Sequence, residues 1–248
     1  MPPRFTLWHA RNTRSLRILW TLEELGLKRG RDYALHNLRF PPREHHPEFL
    51  SANPLGTVPW FEHKEVFDDV PRAAMSESCA VPLYLAELLR SPLAIRVNDG
   101  NNYGHFLNWI AHADATLTFP QAVVMRYKLF EPGRAEAAAD DNSKWFIARL
   151  RLLNAALEDG RSFLVGDRFT IADVCITYAL FNASEDGLCG GPLVEKGLPA
   201  LSARFKPQTA DYLARMTQRP GWVQAMRVQE EAAAATELSC GAADALSE

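Results

Sequence analysis

The amino-acid sequence predicts a small α/β domain followed by a larger all-helical one. Three observations carry that expectation. Strand and helix signals alternate through the first ninety residues. A polar, proline-containing stretch at 90–100 then reads as a linker. Beyond it apolar residues recur only at helical spacing. With 248 residues, 47% of them hydrophobic and 23% charged, the chain is long enough to bury cores without disulfides or metal.

Each element has a local reason. Phe5-Thr6-Leu7-Trp8 is a short strand. In residues 16–26, Leu16, Leu19 and Trp20 mark one helical face while Ile18, Leu22 and Leu25 mark another, so this helix is expected to be buried on two sides. Asn12, Thr13 and Ser15 each suit its N-cap, and Gly26 suits its left-handed end. Tyr33 and Leu35 alternate with Ala34 and His36 in a second strand, parallel to the first because a helix joins them. Asn53-Pro54-Leu55-Gly56 marks a turn into a strand at 57–61, entered through Pro59. After a loop at 63–72, residues 73–75 form a short closing strand, and Val81, Tyr84, Leu85 and Leu88 follow at helical spacing, with Pro82 tolerable only in the first turn.

In the second domain helices are expected at about 101–130, 141–158, 171–184, 199–218 and 220–229. Thr170 with Asp173 three residues on is a capping box. The Ala-rich residues 230–248 read as a frayed or disordered tail. The domain boundaries are accordingly 1–89, 90–100 (linker), 101–229 and 230–248.

Composition also narrows function. A formal net charge of −3 with no basic cluster argues against a nucleic-acid partner. No apolar run is long enough to span a bilayer, and the first residues lack the apolar core of a secretion signal, so no membrane partner and a cytoplasmic location are expected. Cys79, Cys175, Cys189 and Cys240 are widely spaced and read as reduced thiols. The seven histidines fall in no ligand pattern, and no metal is expected.

Four segments in order resemble the soluble glutathione S-transferase family: Asn12–Trp20 at the first helix, Phe49–Pro59 around an Asn-Pro-x-Gly-x-Val-Pro pattern, Ser76–Leu85 around Glu77-Ser78, and Phe169–Asp173. The resemblance covers about 1–228 and is to bacterial-like members of serine/threonine/asparagine type. It implies a thioredoxin-like N-terminal domain, an all-α C-terminal domain, glutathione as cosubstrate, a homodimer and a detoxification role.

By the same resemblance, the thiol-activating residue falls among Thr13, Asn12 and Ser15, ranked in that order. Such a residue would act with the positive end of the first helix to favour the thiolate. A cis Val58–Pro59 bond would turn the Val58 backbone toward the tripeptide, which adds like a short strand. Ser78 would hold the γ-glutamyl carboxylate, Glu77 its ammonium, and His46 the glycyl carboxylate. Capping alone would account for Asn12, Thr13, Ser15 or Ser78, and a solvated loop for His46. An apolar or aromatic electrophile would lie against Asn108, Trp109, His112, Thr116 and Tyr127, with Phe119 on the same stripe, although such a stripe is as readily core or dimer contact. Alternatives are another glutathione-dependent reaction (ether or halide cleavage, isomerisation, disulfide reduction) or a non-catalytic binding module.

Overall fold

A computed structural model describes residues 2–64 and 71–244. In chain order the elements are β1 (Phe5–His9), α1 (Leu16–Glu24), β2 (Tyr33–Asn37), α2 (Pro42–His45), a 3-10 turn (Pro47–Ser51), β3 (Trp60–Lys64), β4 (Pro71–Met75) and α3 (Ala80–Leu88). Then follow α4 (Asn102–Ala111), a π-helical segment (His112–Thr118), α5 (Phe119–Met125), a second π-helical segment (Arg126–Phe130), α6 (Glu136–Arg149), α7 (Arg151–Leu157), α8 (Ile171–Asn182), α9 (Gly190–Glu195), a 3-10 turn (Leu201–Arg204), α10 (Pro207–Thr217) and α11 (Pro220–Asp244). Two compact units result: residues up to Leu88 together with those from Arg219 onward, and residues Leu89–Gln218.

The first unit is built on a four-stranded sheet of order β2-β1-β3-β4, with β1 and β2 parallel and the other pairs antiparallel. The parallel β1–β2 pair is what the strand–helix–strand opening predicts, and the whole sheet is the thioredoxin-like arrangement that the family resemblance implies. The two-sided apolar pattern of α1 is explained by burial of every residue from Leu16 to Leu22, with α3 and α11 both packed against the helix. A smaller cluster of Ala10, Leu38, Phe49 and Val58, joined by Trp8, Ala52 and Trp60, ties the loop after β1 to the turn before β3.

α11 departs from expectation. The stretch expected to be a frayed tail from 230 is helical to Asp244, while 245–248 lie outside the described residues. Its alanines are the best helix formers, and their small side chains allow close packing on α1 and β2, so it lacks the large apolar stripe that marks a helix in sequence. It also clusters with the first unit rather than closing the helical domain at 229. Trp222 meets Trp20 edge-on at 4.9 Å. Glu24, which accepts from Trp20 Nε1 at 2.9 Å, receives both Arg219 Nε and Nη2 at 2.9 Å. Thr236 Oγ1 accepts from Asn37 Nδ2 at 3.1 Å.

The second unit centres on α8, all twelve residues of which are buried. Asp173 accepts from the Thr170 amide (2.9 Å) and hydroxyl (3.1 Å), the Leu164 amide (2.9 Å) and the Tyr212 hydroxyl (2.8 Å). The single helix expected at 101–130 is instead α4 and α5 separated and followed by π-helical segments. Pro120 accounts for the first interruption: it has no N–H to return to the Thr116 carbonyl, and Arg149 Nη1 reaches that oxygen at 3.4 Å. Thr118 Oγ1 meanwhile donates back to the Ala113 carbonyl at 2.7 Å. Pro82 lies in the first turn of α3, where its missing N–H is tolerated.

Candidate functional site

Three segments of the first unit carry the residues singled out in its sequence. The first is the loop between β1 and α1. Asn12 sits there at φ 57°, a left-handed conformation that asparagine tolerates better than most residues. Ser15 occupies the cap position, but its hydroxyl makes no cap bond.

The hydroxyls instead form a buried chain whose direction follows from donor counting. Thr13 Oγ1 lies 2.7 Å from the Ala10 carbonyl, which only accepts, so the Thr13 proton goes there. The contact of 2.7 Å between Thr13 Oγ1 and Ser15 Oγ must then use the Ser15 proton. Ser15 Oγ is therefore left as acceptor toward His9 Nδ1, 2.7 Å away, so Nδ1 carries the imidazole proton. Thr13 and Ser15 thus have no proton left for a fourth partner. Asn12 is half-buried and braced from α11: its amide donates to Gln229 Oε1 at 3.1 Å, and Gln229 Nε2 donates to its Oδ1 at 2.7 Å.

His9 is fully buried, and desolvation lowers its pKa to about 3, against a smaller upward pull from the neighbouring Gln229 amide. Between that value and the ordinary 6.5 the unfolded chain binds a proton that the native chain does not, so stability falls as pH drops through this window. Lowering the pH from about 7.5 to about 5 is expected to cost about 2 kcal/mol through His9 alone. Urea unfolding at the two pH values, repeated on His9→Asn, measures it; an identical loss in the variant would rule out His9 as the source.

The second segment is the turn before β3. Asn53, almost fully buried, donates from Nδ2 to the Thr57 carbonyl at 2.7 Å and accepts the Leu55 amide at 3.1 Å. Gly56 is at φ 59°, and a Cβ there would stand 2.8 Å from Leu50 Cδ2 and 3.0 Å from Arg43 Cβ, so this position requires glycine. The Val58–Pro59 bond is cis, as is Phe40–Pro41, which the sequence did not signal. His46 is engaged locally: Nε2 accepts the Arg39 amide at 3.0 Å, and Nδ1 lies 3.2 Å from Glu48 Oε1. Both ring nitrogens of His46 are thus already engaged by neighbouring groups.

The third segment precedes α3. Glu77 is exposed, and its carbonyl accepts the Ala80 and Val81 amides, each at 3.1 Å. Ser78 is buried, and its hydroxyl accepts from Arg17 Nη1 at 2.7 Å. Arg17 itself has no exposed surface. A lone cation within the apolar run of α1 is the sequence signal that would have found it, since buried arginines are almost always partnered.

In the second unit, Trp109 is buried and meets the half-buried His112 ring edge-on at 5.6 Å. Asn108 and Phe119 are exposed, Thr116 and Tyr127 half-buried, and Arg126 packs over the Tyr127 ring at 5.4 Å. Burial lowers the His112 pKa below its ordinary value. Among the described residues no group of three or more His, Cys, Asp or Glu side chains is placed to hold a metal, and no helix is long and apolar enough to cross a membrane.

A thioredoxin-like sheet unit with an all-helical unit inserted before its last helix defines the glutathione-transferase class of fold. Residues 3–87 match the glutathione S-transferase N-terminal domain. Solved structures with the same fold include a glutathione transferase from Methylococcus capsulatus (24% identity, TM-score 0.70, 91% of this chain and 98% of that one). Another is a glutathione transferase family member from Pseudomonas fluorescens with two glutathione bound (21% identity, TM-score 0.71, 91% and 93%). Elongation factor 1-gamma of Sus scrofa is 30% identical over 152 residues, 58% of this chain but 31% of its own length. The chain thus spans less than a third of the curated relatives it matches.

Proposed function

We propose that the protein is a glutathione transferase that stabilises the glutathione thiolate for attack on an apolar or aromatic electrophile. The observation that carries this reading is the buried Arg17 guanidinium bonded to Ser78 at the head of α3. A buried cation bonded to a hydroxyl at the positive end of a helix favours a carboxylate, here the γ-glutamyl carboxylate, with exposed Glu77 assigned to its ammonium. Val58 offers main-chain pairing to the cysteinyl residue. The glycyl carboxylate is assigned to the exposed Arg39 and Arg43, because the His46 ring is already engaged by the Arg39 amide and Glu48.

At the β1–α1 loop, Asn12 is the proposed donor to sulfur, because the Thr13 and Ser15 protons are directed to Ala10 and Thr13. The reaction forms a carbon–sulfur bond as the electrophile releases its leaving group or accepts a proton, and the enzyme contributes positioning and thiolate stabilisation. Asn108, His112, Thr116 and Tyr127 are assigned to the electrophile, and Trp109 to support of His112. A cytoplasmic homodimer is part of the same proposal.

The similarity to elongation factor 1-gamma favours a second reading, a transferase-like module that binds without turnover. Calorimetry with glutathione, followed by product analysis over a panel of aromatic halides, epoxides and disulfides, separates the two. Binding with conjugate formation is expected. Binding without any product supports the module, and absence of binding sinks the glutathione reading.

A further inference from the structure

α6 brings a cation to the residues assigned to the electrophile. Arg149, its last residue, reaches the Thr116 carbonyl with Nη1 at 3.4 Å and lies 5.0 Å over the Trp145 ring. Neither contact uses the guanidinium fully. The first is at the long limit of a hydrogen bond, and the second is to a ring that is itself 55% exposed, where such stacking is weak. Arg149 is half-buried, yet among the described residues no carboxylate pairs with it. The carboxylates of α6 stand toward its other end, Glu136 and Asp140 against Lys128 and Asp141 against Lys144.

We infer that Arg149 is a specificity-determining residue for the proposed transfer: it selects aromatic electrophiles that carry an anionic substituent, a carboxylate first, with Trp145 as the platform for its guanidinium. The inference rests on the glutathione-transferase reading above, with its assignment of His112 and Thr116, and adds the substrate class. A guanidinium presents five N–H donors in a fixed fork that matches a carboxylate in pairs. A single long contact to a carbonyl leaves most of that fork unused. The neighbouring imidazole does not compete for the anion. Burial lowers the His112 pKa, the Arg149 carbonyl opposes that shift and the Arg149 charge adds to it, so at neutral pH the ring is uncharged and Arg149 supplies the positive charge.

The test uses a matched pair of aryl chlorides, 4-chloro-3-nitrobenzoate and 4-chloro-3-nitrobenzamide, which are close in size and differ chiefly in charge. With either one the thiolate sulfur bonds to the ring carbon and chloride departs with the carbon–chlorine electron pair. The carboxylate or carboxamide is unchanged, so it reports recognition apart from chemistry. For each substrate kcat/KM is divided by the uncatalysed rate with glutathione, and the readout is the benzoate-to-benzamide ratio. The wild type is expected to favour the benzoate about tenfold at low ionic strength, the scale of one charge-assisted pair. Arg149→Gln should bring the ratio to about one. Added salt should lower the wild-type ratio, because a half-exposed pair is screened.

A wild type that leaves the benzoate unconverted, or converts it no better than the benzamide, overturns the inference. So does a ratio that Arg149→Gln leaves unchanged because both substrates suffer alike, as they would if Arg149 only braced the Thr116 turn. In each of those cases product from the benzamide or from the wider panel keeps the transferase reading standing. No product from any of them overturns that reading and this inference with it. If Arg149→Gln does not fold, the wild-type ratio decides: the same value at about 20 mM and about 500 mM salt overturns the inference.

Discussion

Replacing Asp173 by alanine is expected to destabilise the protein by about 3–5 kcal/mol, the largest stability effect of any single change considered. The side chain is fully buried and serves as acceptor for four donors: the Thr170 amide and hydroxyl, the Leu164 amide and the Tyr212 hydroxyl. Truncation strands the Leu164 and Thr170 amides and the Tyr212 hydroxyl away from water, at roughly 1–3 kcal/mol for each group left unsatisfied, with partial relaxation offsetting some of the sum. The consequence is large because α8, which Asp173 anchors at its start, is buried along its whole length. Urea unfolding followed by circular dichroism measures the change. A loss below about 1 kcal/mol would mean that water or a rearranged loop replaces the carboxylate.

Asn12→Ala is expected to lower kcat/KM for conjugation on the order of 100-fold, the scale of removing one preorganised donor to a developing anion. Thr13→Val should behave differently. Its hydroxyl proton goes to the Ala10 carbonyl, so the variant loses about 1 kcal/mol of stability while its bound thiol titrates as in the wild type. Steady-state kinetics on an aromatic halide and thiolate titration of the two variants distinguish these outcomes. Should Thr13→Val raise the thiol pKa while Asn12→Ala leaves it alone, the donor assignment would have to be exchanged.

The proposed order, with Asn12 ahead of Thr13, rests on contacts that the sequence does not show. Asn12, Thr13 and Ser15 are legible as polar residues at a helix entry because the signal is local. Which of them has a proton to offer depends on how the loop folds the Thr13 hydroxyl onto Ala10 and the Ser15 hydroxyl onto Thr13, with His9 donating behind them. The turn at Asn53–Gly56, the parallel pairing of β1 with β2 and the capping box at Thr170 were likewise readable, since each rests on residues a few positions apart or on one short crossover. The contacts that sequence missed join distant residues. Arg17 meets Ser78, and Gln229 meets Asn12, with no periodicity linking either pair. The contacts of His46 with the Arg39 amide and Glu48 were likewise not legible in the sequence.

The assignment of α11 to the sheet unit has a consequence for how the molecule comes into being. Residues Leu89–Gln218, a whole compact unit, are translated between α3 and the helix that covers α1. Until that helix leaves the ribosome, the nascent sheet lacks the Trp222 edge against Trp20 and the Arg219 fork on Glu24. The earlier segment therefore waits, with an apolar flank uncovered, while the later one is free to collapse by itself. Limited proteolysis of stalled chains ending near 215 should cut within 1–88 more readily than within 89–218, the reverse of a simple head-to-tail order of maturation.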